Sequence, residues 1–237
     1  MNIPDRMRLR ITRAEAAAGR TPIWTAELPT AFPAEDGHRV VVGQPWLAAA
    51  DGLPARFRGA SHLSRGDLFS LASDLRRQRR PQWAGLLAAS NAWGYGTTGY
   101  GWHRTRAILA QPDLDARLIA AVAILTDHGP VHAFYALRNQ HHVTGLGPAF
   151  FTKFLYFASA GLDTPDALIL DAVLAAAINR VSGKTVLRSA GWRTPEYAFY
   201  LVYLNRVAER VRQTALTDVT PGQVEMALFQ QQGKMGQ

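Results

Sequence analysis

The sequence predicts a mainly α-helical fold with an irregular N-terminal lobe. Three observations carry that expectation: helical apolar periodicity from residue 61 onward, dense proline punctuation before it, and a composition able to fill a core. Of 237 residues 48% are hydrophobic and only 19% charged, which places the chain among folded globular proteins rather than disordered ones. A chain of this length fits one domain or two closely packed lobes.

Residues 1–60 are expected to form the lobe. Pro22, Pro29, Pro33, Pro45 and Pro54 interrupt short apolar stretches such as Arg39-Val40-Val41-Val42, a texture of loops with one or two short strands. Residues 61–237 are expected to form the helical core, with a hairpin at 143–148. Ser64 or Asp67 would cap a helix running to about Arg79, before Pro81. An apolar run from Trp83 to Trp93 meets the glycine-rich stretch Gly94-Tyr95-Gly96-Thr97-Thr98-Gly99-Tyr100-Gly101-Trp102. Helical patterns follow at about 103–111, 113–127, 130–140, 148–160, 171–181 and 195–213. The last twenty residues, rich in glutamine and glycine, are expected to fray.

Charge narrows the partner class. Lys plus Arg number 26 against 18 Asp plus Glu, a formal +8, which favours a polyanion whose counterions are released on binding. There is no cysteine, so disulfides, zinc–thiolate centres and cysteine-ligated iron–sulfur clusters are excluded. Around Arg6, Arg8, Arg10, Arg13 and Arg20 no apolar run is long enough for a signal peptide, and no segment reaches the ~18–20 apolar residues of a membrane span. The expectation is a soluble, cytoplasmic protein, without a membrane or an obligate protein partner.

The most informative segment is Val143-Thr144-Gly145-Leu146-Gly147-Pro148, between an apolar helical run (131–137) and a second apolar helix. Glycines on either side of one apolar residue let the backbone turn sharply and approach another surface closely. Pro148 suits the first turn of the next helix, where its missing N–H costs nothing. The amides of Thr144, Gly145, Leu146 and Gly147 and that helix N-terminus then form a ready phosphate site. The same pattern also serves a plain αα-hairpin.

Two residues give this hairpin chemical company. Lys153 stands within Phe150-Phe151-Thr152-Lys153-Phe154-Leu155-Tyr156-Phe157, where desolvation would favour a free amine able to act as a nucleophile. Asp171 stands in the apolar run Leu168-Ile169-Leu170-Asp171-Ala172-Val173-Leu174. A carboxylate there is costly unless it is paired, capping or functional. At the start of a helix ending near Arg180 it would accept from N-terminal amides and stay ionised. The plain alternatives are a snorkelling surface lysine and a simple helix cap.

In these residues the sequence resembles the helix-hairpin-helix DNA glycosylase superfamily, in particular its 8-oxoguanine glycosylase-like bacterial branch. The match rests on the Gly145-Leu146-Gly147 hairpin, the lysine-to-aspartate interval and the Ile169-Leu170-Asp171 setting, and it covers about 130–181. Trp93-Gly94-Tyr95-Gly96 through Arg106 is similar to bacterial proteins of this fold as well. The resemblance implies double-stranded DNA as partner, base flipping, Asp171 stabilising charge on the sugar, and Lys153 forming a Schiff base. One departure is visible: the superfamily's lysine commonly stands two residues after the second glycine, which is Ala149 here. Lys153 lies one helical turn, ~6 Å, further along the same face, and its side chain would lean back over that turn.

Tyr95, Tyr100 and Trp102, with Trp93, are candidates to stack a flipped base or fill its gap, or else core anchors. His128, His132, His141 and His142 lack a carboxylate at matched spacing and are read as surface or phosphate contacts, so no metal and no cofactor are expected. Arg76, Arg77, Arg79 and Arg80 form a basic helix end. The functional expectation is a DNA glycosylase, with lyase activity through Lys153. The alternatives are a non-catalytic DNA-binding hairpin protein and a glycosylase acting on modified invading DNA.

Overall fold

The computed structural model describes residues 3–43, 53–163, 166–215 and 217–235. In chain order the described elements are α1 (Asp5–Arg20), β1 (Arg39–Val41), β2 (His62–Ser64), α2 (Arg65–Arg76), α3 (Trp83–Tyr95), α4 (Gly99–Leu109), α5 (Leu114–His128), α6 (Pro130–Arg138), α7 (Pro148–Ser159), α8 (Ala172–Ser182), α9 (Thr194–Ala215) and α10 (Pro221–Met235). The fold is mainly helical, as the sequence predicts. Residues 21–43 and 53–64 hold only 3-10 turns and the β1–β2 pair, antiparallel with Val40 opposite Leu63.

Two compact units are present. One comprises Met1–Glu35 together with Leu168–Gln237, the other Asp36–Ala167, a partition unlike a division at residue 60. In the Asp36–Ala167 unit, α7 is flanked by α2, α3, α5 and α6, and ten of its twelve residues are buried. A helix enclosed on most sides must be apolar around most of its circumference, which accounts for its aromatic density. Phe151 meets Phe134 of α6 edge-on at 4.9 Å, and Phe154 meets Trp83 of α3 at 6.3 Å. Ser64 and Asp67 form a reciprocal capping box at the start of α2. Arg76 donates to the carbonyls of Ala158 and Ala160 and so closes the C-terminal end of α7, while Arg77 pairs with Asp74. Arg76 is therefore engaged within the fold, whereas Arg77 holds a pair on the surface.

In the other unit α1 packs along α9, and α10 packs on α8 and α9. Two helices run where the sequence pattern predicts none. The first is α1, whose buried Ile11 and Ala18 mark the face turned to α9. The second is α10, which corrects the expectation of a frayed C-terminus. Val224, Met226, Ala227 and Leu228 are buried there, and their contribution outweighs the weak helix propensity of the glycine and glutamine around them. Its start is marked in the sequence by Thr220-x-x-Gln223. The Gln223 amide donates to Thr220 Oγ1 at 3.0 Å, and the Thr220 amide donates to Gln223 Oε1 at 2.9 Å.

Candidate active site and nucleic-acid interface

The hairpin is the loop between α6 and α7. Gly145 has φ +81°, a left-handed conformation that only glycine adopts without strain, while a β-carbon there would make only ordinary contact with Ile108 Cγ1 at 3.5 Å. Gly147 differs. Its φ is −83°, and a β-carbon would meet nothing nearer than an Arg104 nitrogen at 4.0 Å. The surrounding protein therefore does not require glycine at 147. Val143 and Leu146 are buried and anchor the turn, while Thr144 and Gly145 are exposed.

Three side chains brace the turn from outside. Arg104 Nε donates to the Gly145 carbonyl at 2.8 Å. The Gln111 side chain donates to the Thr144 carbonyl at 2.7 Å and accepts from the Thr144 amide at 3.1 Å. Arg117 donates to the His142 carbonyl. The loop's outward carbonyls are thus held by α4, α5 and the turn between them, which leaves its geometry fixed before any ligand arrives. Neither Arg104 nor Gln111 carries a sequence signal strong enough to single it out, because both act across more than thirty residues.

Lys153 follows on α7. Its side chain is buried, and its ammonium nitrogen donates to the Ala149 carbonyl at 3.1 Å, so it does reach back over one helical turn. The nitrogen also stands 5.6 Å from the centre of the Phe150 ring. Opposite lies Gly94, where a β-carbon would come within 2.9 Å of Lys153 Cδ and 3.1 Å of Cε. Gly94 therefore makes the channel through which the lysine runs. Phe150 in turn is stacked by Tyr95 at 4.2 Å and faced by the Arg104 guanidinium at 5.8 Å. Burial pushes the Tyr95 phenol above its ordinary pKa, against the opposing pull of neighbouring Arg104. Hairpin, Arg104, Tyr95, Phe150 and Lys153 make one continuous cluster.

The remaining aromatic candidates separate. Tyr100 is 71% exposed and Trp102 half-buried. Trp93 is buried edge-on to His38 and Phe157, a core anchor. A cleft of about 470 Å³ in the same unit is lined by Gln82, Leu109, Gln111, Asp113 and their neighbours, and by none of the four aromatics. His128 and His132 lie 5.6 Å apart, and no described group of three or more His, Asp or Glu is arranged to hold a metal ion.

Asp171 belongs to the other unit, where it is the N-cap of α8 and accepts from the Leu174 amide at 3.0 Å. What precedes it is unusual. The extended backbone at Leu168 and Ile169 is held by side chains instead of a neighbouring strand. The Tyr197 hydroxyl donates to the Leu168 carbonyl at 2.9 Å and accepts from its amide at 3.2 Å. The Ile169 amide donates to the fully buried Glu225 at 2.6 Å, and the Tyr200 hydroxyl donates to the Ile169 carbonyl. Burial drives the Tyr197 phenol far above its ordinary pKa, so it stays protonated and able to donate. The aspartate thus follows a peptide segment whose polar groups are almost fully bonded.

A mainly helical protein with a braced Gly-Leu-Gly hairpin and a buried lysine on the following helix has the fold class of the helical DNA glycosylases. The chain belongs to the family described as "Putative 8-oxoguanine DNA glycosylase OGG-like protein", whose model matches residues 15–229. No curated protein and no solved structure gives a significant match. No helix among the described residues is long and apolar enough to cross a membrane.

Proposed function

We propose that the protein removes 8-oxoguanine or a closely related damaged base from duplex DNA, using Lys153 as nucleophile and Asp171 as electrostatic partner. The observation that carries this reading is the seating of Lys153, an amine held on the helix that the hairpin leads into. A backbone phosphate would lie at the positive end of α7 against Gly145 and Gly147, since the Thr144 and Leu146 amides donate to Gln111 and to the Val143 carbonyl. That interaction offsets part of the few kcal/mol needed to unstack and extrude a nucleotide. Open space over Gly147 supports a close approach there by a partner's backbone rather than by protein.

In the reaction the Lys153 amine adds through its nitrogen lone pair to the sugar C1′ as the glycosidic bond pair leaves with the base, and the proton lost from the attacking nitrogen ends on the base. Opening of the C1′–O4′ bond, with a proton taken up by O4′, gives the iminium. The Asp171 carboxylate would stabilise positive charge on the sugar as the bond breaks. Its cap to Leu174 fixes the carboxylate through one oxygen.

Borohydride trapping on duplexes carrying single lesions tests this. Lys153→Gln is expected to abolish the covalent crosslink. A variant that still releases base without nicking would make the protein a monofunctional glycosylase. No release from any lesion by the parent, with duplex binding retained, would leave a non-catalytic DNA-binding protein.

A further inference from the structure

Helix α1 carries a feature that the excision chemistry does not use. Arg6, Arg10, Arg13 and Arg20 are all exposed and recur at intervals of four, three and seven. At 3.6 residues per turn they fall within an arc of about 80° on one side of the helix. The helix's two carboxylates, Asp5 and Glu15, fall outside that arc. None of these four arginines forms an ion pair among the described residues. Fourteen residues at 1.5 Å each make the stripe ~21 Å long.

At its C-terminal end the stripe meets a cleft of about 390 Å³ lined by Arg20, Thr21, Pro22, Ile23, Arg206, Glu209, Arg210 and Gln213. Three arginines therefore line one cleft. The single carboxylate there is already engaged: Glu209 accepts from Arg212 at 2.8 Å and from Gln213 at 2.9 Å, bonds that lower its pKa. Arg206 is fixed by donating to the carbonyls of Ala18 and Thr21. Like charges gathered in excess over one engaged carboxylate repel one another, a cost that an anionic ligand reduces.

We propose that the α1 stripe and the Arg20–Arg206–Arg210 cleft form a second DNA-binding surface, which takes the backbone phosphates of double-stranded DNA. This rests on the reading of the chain as a DNA-acting protein, but it needs neither the hairpin nor the chemistry of Lys153. Duplex DNA presents a phosphate on each strand every ~3.4 Å, so the stripe runs beside about six base pairs. A membrane surface fits poorly, because an interfacial helix needs a free apolar face. The buried Ile11 and Ala18 show that the apolar face of α1 is spent on packing within its own unit. Arginine rather than lysine also suits phosphate oxygens, which its planar fork can bind in pairs.

The test uses the full chain and an undamaged duplex, with affinity followed across salt. In Arg6→Gln/Arg10→Gln/Arg13→Gln the slope of log K against log salt should shrink by about 2 to 3, near 0.9 for each phosphate no longer neutralised. Arg20→Gln/Arg210→Gln should shrink it again, and base release at saturating DNA should stay at the parent rate. Gly147→Val, measured in parallel, reports the hairpin alone. An unchanged slope in both arginine variants, with a reduced affinity in Gly147→Val, overturns the second surface and leaves the DNA reading intact. A parent that binds no duplex at low salt overturns both. Binding to polyglutamate or to anionic vesicles that disappears in the arginine variants, with duplex binding untouched, overturns the choice of DNA as the occupant.

Discussion

Lys153 runs past Gly94 so closely that a β-carbon on residue 94 would lie 2.9 Å from the lysine Cδ. Gly94 is in the last turn of α3, where alanine is favoured over glycine by about 1 kcal/mol. The obstructing atoms belong to a flexible side chain, so the lysine would move rather than the helix. Gly94→Ala is therefore expected to keep or raise the melting temperature while it lowers the yield of borohydride-trapped complex. Loss of stability together with activity would show that Gly94 serves packing and not the lysine.

The two hairpin glycines should part company on substitution. Gly145→Val forces a β-branched residue to φ +81° beside Ile108, and a stability loss of about 1–3 kcal/mol is expected. Gly147→Val adds its side chain into open space at an ordinary φ, so denaturant midpoints should barely move while duplex affinity falls. Equal DNA affinity in Gly147→Val and parent would return the hairpin to a purely structural role.

Asp171 combines two roles that one substitution separates. Asparagine also caps helices, so Asp171→Asn should cost little stability, whereas Asp171→Ala should cost about 1 kcal/mol. Base release should fall on the order of 10²–10³ in both, because both remove the charge. Single-turnover release compared with chemical unfolding reads the two effects apart.

The helical core is legible in the sequence because its signals are local: caps, prolines and apolar spacing place α2 through α9 within a few residues. The hairpin and the capping position of Asp171 are legible for the same reason. What escapes is long-range. The Tyr197, Tyr200 and Glu225 clamp joins residues 29 to 56 positions apart, and Glu225 lies in the glutamine- and glycine-rich segment that reads from sequence as a fraying terminus. Tyr95 looks from sequence like a platform for an extruded base, yet one of its faces is taken by Phe150, a partner fifty-five residues away.

His38 should give the fold a pH dependence of known sign. Burial first, and then the neighbouring Arg65, lower its pKa below the ordinary value of about 6.5. The unfolded chain therefore takes up this proton before the folded one does. Its contribution is fully present above about pH 6.5 and is lost as the pH falls from there toward the lowered value. Denaturant unfolding at pH 7.5 and pH 5.5 should show a smaller acid loss in His38→Gln than in the parent. An identical loss in both would assign the dependence to other groups.

The unit formed by Met1–Glu35 and Leu168–Gln237 is assembled from two segments far apart in sequence. During synthesis α1 emerges well before its partner α9, which begins at Thr194, more than 170 residues later. At translation speeds of about 5–20 residues per second, the apolar side of α1 waits roughly ten seconds or more for its cover. Asp36–Ala167 is contiguous and is complete on the ribosome well before then. Arginines along the uncovered helix would keep it apart from other nascent chains by charge repulsion during that interval. A tag or fusion that delays release of the last seventy residues should therefore impair recovery of soluble protein more than the same insertion at the N-terminus.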